Sequence, residues 1–131
     1  MTDAKAVRVL LVNDHLITQR TLRSALQAYP NIEVVGEARN GDEALASVAR
    51  LQPTVVVMDI HMSRMEGASA TRLIKLHFPD TAVIGISLEH KDYQLHAMQK
   101  AGAFEVLVKG SPVAELHSAI QRAVESVQPA D

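Results

Sequence analysis

Apolar residues along the chain fall into two alternating kinds of segment. The first kind is a short continuous run: Val7 to Val12, Ile32 to Val35, Val55 to Met58, Ala82 to Ile86 and Val106 to Val108. Runs this short, without polar alternation, suit strands covered on both faces, as in a parallel sheet. The second kind carries apolar positions at helical spacing. Leu22 and Leu26 mark the first of these, and Ala44, Leu45, Val48 and Leu51 the second. Ala70, Leu73, Ile74 and Phe78 mark the third, Leu95 and Met98 the fourth, and Val113, Leu116, Ile120 and Val124 the fifth. Each such stripe predicts a helix with one face against a core. The pattern is strand then helix, repeated five times.

The punctuation agrees. Pro30, Pro53 and Pro79 each fall at a helix exit just before a strand, where a missing N–H costs little. Gly102 stands where the fourth helix should end. Ser111 followed by Pro112 reads as a helix cap and a first helical position, and Asn40 to Glu43 as a capping box with Asn in the leading place. Alternating strands and helices predict a parallel sheet with right-handed crossovers and helices on both faces. The expected fold class is α/β, a flavodoxin-like, doubly wound, five-stranded sheet of order 2-1-3-4-5. In that order the first and third strands meet at the switch point, and ligands bind outside their carboxyl ends. The chain reads as a single domain over 1–131 with its core at about 7–127, and Gln128 to Asp131 as a frayed end.

Composition narrows the classes. The 131 residues suffice for one domain with a sizeable core, and 47% hydrophobic with 21% charged residues is a globular balance. No apolar run approaches the roughly 20 residues of a membrane-spanning helix, and the polar start, Met1 to Val7, shows no secretory signal. The absence of cysteine removes disulfides, thiolate metal sites and cysteine nucleophiles. A cytoplasmic location is expected, with no membrane partner. A net charge of -2, with two Phe, two Tyr and no Trp, offers neither a basic footprint nor a stacking platform, so no nucleic-acid binding by this domain is expected.

The candidate chemistry sits just after the strands. The first strand runs into Asn13 and Asp14, the third into Asp59, the fourth into Ser87 and the fifth into Lys109. The expected topology brings these to one edge of the sheet. Two carboxylates, an amide, a hydroxyl and an ammonium there suit phosphoryl transfer to a carboxylate. A hard divalent cation needs oxygen ligands, which Asp14 and Asp59 supply. The nucleophile is a carboxylate, and charge spread over the phosphoryl oxygens calls for a metal, a cation and a hydroxyl. The histidines show no metal spacing: His90 and His96 do not share a helix face, and His15, His61, His77 and His117 are isolated. His15 and His61 border the pocket in this reading. Gly36 and Gly41 form neither a dinucleotide fingerprint nor a P-loop.

The residues Val9 to His15, Val34 to Ala38, Val57 to Met62, and Ala101 to Ala103 leading into Leu107 to Lys109 resemble the receiver domain of bacterial two-component response regulators. The wording is most similar to the subfamily that often carries a helix-turn-helix output domain. The resemblance implies that Asp59 is the phosphoacceptor, and that Ser87 and Lys109 complete the catalytic set. It implies a magnesium ion held by Asp14, Asp59 and the backbone carbonyl of His61, with Asn13 acting indirectly through a metal-bound water. A partner histidine kinase is implied as phosphoryl donor. A homodimer through the fourth helix, fifth strand and fifth helix is a further implied partner. Catalysis would be limited to self-phosphorylation and self-dephosphorylation, so the chain is not expected to be an enzyme in the usual sense.

Several positions depart from the family pattern. Asn13 stands where a carboxylate is usual, which predicts weaker magnesium binding; it also reads as a simple turn former. Ser63 replaces a common proline, and Leu88 a small residue. Val106 stands where a tyrosine or phenylalanine usually swings with the hydroxyl residue, with Phe104 two positions earlier. Glu89 and His61 occupy positions that tune phosphoryl lifetime in the family. The alternative function is a degenerate receiver, a protein-interaction module that needs no phosphate. An aspartate-nucleophile phosphatase is disfavoured because His61 stands where such enzymes need a second acid, and a flavin site rests on the fold alone.

Overall fold

A computed structural model describes residues 6–62, 66–87 and 92–127. Five strands alternate with five helices: β1 (Val7–Val12), α1 (Leu16–Gln27), β2 (Ile32–Ala38), α2 (Gly41–Leu51), β3 (Val55–Asp59), α3 (Gly67–His77), β4 (Ala82–Ser87), α4 (Asp92–Ala101), β5 (Glu105–Val108) and α5 (Val113–Val127). All pairings are parallel and the strand order is β2-β1-β3-β4-β5. This is the expected doubly wound sheet. The expected frayed end, Gln128 to Asp131, lies outside the described residues.

The continuous apolar runs are explained by a two-sided core. Successive strand residues point to opposite faces. Val9, Leu11, Val55, Val57, Ile84 and Ile86 pack with Leu26 of α1 and with Leu116, Ala119 and Ile120 of α5. Leu10, Val12, Val56, Met58 and Val83 pack on the other face with Ala44, Val48, Ala70, Ile74 and Met98 of α2, α3 and α4. Leu10 and Leu11 are both fully buried, on opposite faces. Burying one such side chain stabilises by about 1.5–3 kcal/mol, and truncation of Leu10 to Ala would cost about 2–5 kcal/mol.

The ends of the elements follow local chemistry. Asn40 accepts the Glu43 amide at 2.9 Å, and the Glu43 carboxylate accepts the Arg39 amide at 2.9 Å, one residue outside the usual reciprocal partner. Gly102 closes α4 at φ +104°, a left-handed conformation that favours glycine. Ser111 does not act as the expected cap: its hydroxyl donates to the Val108 carbonyl at 2.6 Å and ties the start of α5 to β5. β2 extends past Val35 to Ala38, with an irregularity opposite Val9 and Leu10. His117 stacks on Tyr29 with ring centroids 3.8 Å apart and contacts Asn31, joining α5 to the turn before β2.

Candidate functional site

Because β1 and β3 are adjacent, Asn13, Asp14 and Asp59 leave the sheet at one place. Asn13 is buried, and its side-chain oxygen accepts the backbone N–H of His15 at 2.7 Å. That contact is an Asx turn, which reverses the chain between β1 and α1. His15 is the first flanking residue of α1, and its ring Nδ1 lies 2.9 Å from Asp14 Oδ1. The turn thus fixes where Asp14 and His15 point. Among the described residues, Asp14, His15 and Asp59 offer ligand atoms that all lie within 4.8 Å of one another.

Asp59 is only 4% exposed, the last residue of β3. One of its oxygens accepts the His61 amide at 3.0 Å, which holds the carboxylate in place and leaves its other oxygen for chemistry. Burial pushes its carboxyl above the usual range and the neighbouring Asp14 adds to this, while the His61 amide and the charge of Lys109 act in the opposite sense. Behind Asp59, the start of α3 touches the backbone. A Cβ on Gly67 would stand 2.7 Å from the Asp59 carbonyl oxygen and 2.8 Å from Ile60 Cα. The Gly67 amide donates to the Ile60 carbonyl at 3.2 Å, and the Ile60 amide to the Ile86 carbonyl at 3.0 Å.

Ser87 ends β4 beside Val108 and is buried. The Lys109 amide donates to the Ser87 carbonyl at 2.6 Å, so both residues share one edge. The His61 ring reaches α4, with Nδ1 3.5 Å from Gln94 Nε2. Val106 is buried beside Gly85, whose Cβ would meet Val106 Cγ2 at 3.3 Å and Met98 Cε at 2.8 Å. Phe104 is 39% exposed and precedes β5, so it does not fill that space. Ser63, Leu88, Glu89 and His90 lie outside the described residues.

Gln19 escaped the reading of the sequence. It is buried in α1, and its side-chain amide donates to the carbonyls of Asn13 at 3.3 Å and Ala38 at 3.0 Å, linking the ends of β1 and β2. The available signal was its position: three residues before Leu22, on the apolar stripe of α1.

This fold, with two carboxylates at the switch point and a serine and lysine on the neighbouring strand ends, defines a receiver-type module. The model of the response regulator receiver domain matches residues 9–121, and the chain belongs to that family. It is 37% identical over 117 residues to the transcriptional regulatory protein LiaR of Bacillus subtilis, covering 89% of this chain and 56% of that protein. It is 41% identical over 104 residues to a protein-glutamate methylesterase/protein-glutamine glutaminase of Myxococcus xanthus, covering 79% of this chain and 30% of that enzyme. Among solved structures, the signal receiver domain of NarL from Mycobacterium tuberculosis superposes with a TM-score of 0.88 at 27% identity, over 92% of this chain and 98% of that one. The response regulator domain of Thermotoga maritima CheB gives 0.86 at 29% identity, over 95% and 100%.

The chain spans about half or less of the curated relatives named here. One expectation is corrected on this ground. The sequence predicts no enzyme activity beyond self-phosphorylation and self-dephosphorylation, yet similar sequence forms 30% of a methylesterase/glutaminase. The physical reason is that a receiver domain's own residues carry no mark of the catalytic part joined to similar sequence in that enzyme. The degenerate alternative gains no support from the relatives. No described helix is long and apolar enough to cross a membrane.

Proposed function

We propose that Asp59 accepts a phosphoryl group from a partner histidine kinase and that the resulting acyl phosphate switches a protein-interaction face. The observation that carries this reading is the Asp59 carboxylate itself: buried, tethered through one oxygen to the His61 amide, and next to Asp14 and the charge of Lys109. The free oxygen of Asp59 attacks phosphorus, the bond from phosphorus to the donor nitrogen breaks, and its electron pair stays on the kinase imidazole. Lys109 and Ser87 receive the phosphoryl oxygens, one with charge and one with a hydroxyl hydrogen bond.

The donor set fits a hard divalent cation, because Asp14 and Asp59 supply anionic oxygens at one point. In this reading the His61 carbonyl completes the direct ligands, and Asn13 acts through a bound water by the lone pair that His15 leaves free. Magnesium bound there would supply charge neutralisation for the phosphoryl oxygens. The output face is α4, β5 and α5, which also serves as the homodimer face. The module works in the cytoplasm, and DNA contact, where it occurs, belongs to another domain.

The test is phosphorylation by acetyl phosphate with magnesium, read by intact mass. Wild type gains one phosphoryl group and Asp59→Asn gains none. Equal labelling of the variant, or no labelling of wild type, would overturn the proposal.

A further inference from the structure

The cation pocket contains one donor that the receiver reading does not use. His15 Nδ1 lies 2.9 Å from Asp14 Oδ1, and Asp14, His15 and Asp59 each offer a ligand atom within 4.8 Å of the other two. Two ligands at right angles on a cation with bonds of about 2.1 Å stand about 3.0 Å apart, and opposite ligands about 4.2 Å. The Asp14–His15 pair is therefore already at the spacing of adjacent ligands. An inward shift of Asp59 from within 4.8 Å closes the set. The ring is free to adjust, since the His15 side chain is 65% exposed while that of Asp14 is 23% exposed. As a surface ion pair the contact would contribute little. As a chelating pair it has a chemical consequence.

We infer that His15 is a ligand of the divalent cation, so that this pocket takes nitrogen-accepting transition ions in preference to magnesium. The inference rests on the reading of Asp14 and Asp59 as a cation site. Magnesium keeps oxygen ligands and water, whereas imidazole favours ions along the series from manganese to cobalt and nickel. Asn13 works in the same direction. An amide at that position removes one anionic oxygen that a magnesium site would use, and its own oxygen holds the His15 amide at 2.7 Å. The site thereby exchanges charge for a nitrogen donor.

The test uses the full chain with metal alone. Manganese bound to wild type is examined by pulsed electron paramagnetic resonance for a directly bonded nitrogen, and cobalt and magnesium affinities are measured by calorimetry. Wild type shows the nitrogen signal and His15→Ala loses it, while His61→Ala keeps it. His15→Ala weakens cobalt at least about tenfold and leaves magnesium within about twofold. The inference falls if wild type shows no nitrogen coupling, if the coupling survives in His15→Ala, or if the two metals respond alike. Magnesium binding that Asp14→Asn abolishes, with no nitrogen coupling to manganese, overturns the role of His15 alone. Absence of binding by any of the three ions overturns the cation site as well.

Discussion

At the ends of β1 and β3, the groups beside Asp59 are tied down by hydrogen bonds. Asn13 holds the His15 amide, Gln19 holds the Asn13 carbonyl, and the His61 amide holds Asp59. At the ends of β4 and β5, the Lys109 amide meets the Ser87 carbonyl, but the path inward is Gly85, Val106 and Met98. That path is built of apolar side chains without a ring, with a glycine where the strands touch, among the described residues. In the proposed function, the difference means that taking up a phosphoryl group and relaying its presence fall to separate residues. A chain can be well furnished for the first and sparsely for the second.

The comparison breaks most visibly at its two glycines. A Cβ on Gly67 meets backbone atoms of Asp59 and Ile60, whereas one on Gly85 meets the flexible end of Met98 and a methyl of Val106. Gly67→Ala should destabilise by about 1–3 kcal/mol despite its better helix propensity, and Gly85→Ala by less than about 1 kcal/mol. Urea denaturation of both variants decides it. Equal losses would show that the two halves are packed alike.

The next effect is electrostatic. Burial raises the Asp59 carboxyl above its unfolded value, so folding disfavours its ionised form. That penalty appears as pH rises from the unfolded value of 3.8 through the folded one, and it persists above. Asp59→Asn removes it. At pH 7 the variant should melt higher than wild type, and the gain should vanish as pH falls below the unfolded value. Calorimetry at several pH values checks this. A variant less stable at pH 7 would contradict the assigned cause.

The smallest effect concerns Asn13. Asn13→Asp restores a carboxylate, and aspartate can still accept the His15 amide, so the turn survives. Magnesium affinity should rise several-fold, on the order of 1 kcal/mol for a charge near a partly wet site. Calorimetric titration with unchanged or weaker affinity would show that the missing charge does not limit magnesium binding.

Much of the fold was legible because each parallel strand, covered on both faces, leaves an uninterrupted apolar run. The switch point then followed from topology, and with it the meeting of Asp14 and Asp59. β2 was read short because Gly36 and Glu37 interrupt its run, which an edge strand tolerates; Arg23 of α1 pairs with Glu37 across that edge. Gln19 was missed because its partners, Asn13 and Ala38, are backbone carbonyls that no spacing reveals. The Asp14–His15 geometry was missed because adjacent residues point together only once a turn has closed, and the Asx turn of Asn13 does this. The exclusion of enzyme function failed for a different reason, since a receiver domain carries no mark of the catalytic part joined to similar sequence in a relative.

The most direct test of the two-halves account is a titration with beryllofluoride, an acyl-phosphate mimic, followed by backbone amide NMR shifts. The account predicts large shifts at Asp14, Asp59, Ser87 and Lys109, and small ones along Val106, α4 and the outer face of α5. Coupling of about 1 kcal/mol moves the active population only several-fold. Val106→Tyr, which restores a ring, should enlarge the distant shifts while leaving those at the acceptor unchanged. Full-sized shifts across α4, β5 and α5 in wild type, with nothing added by the tyrosine, would contradict it.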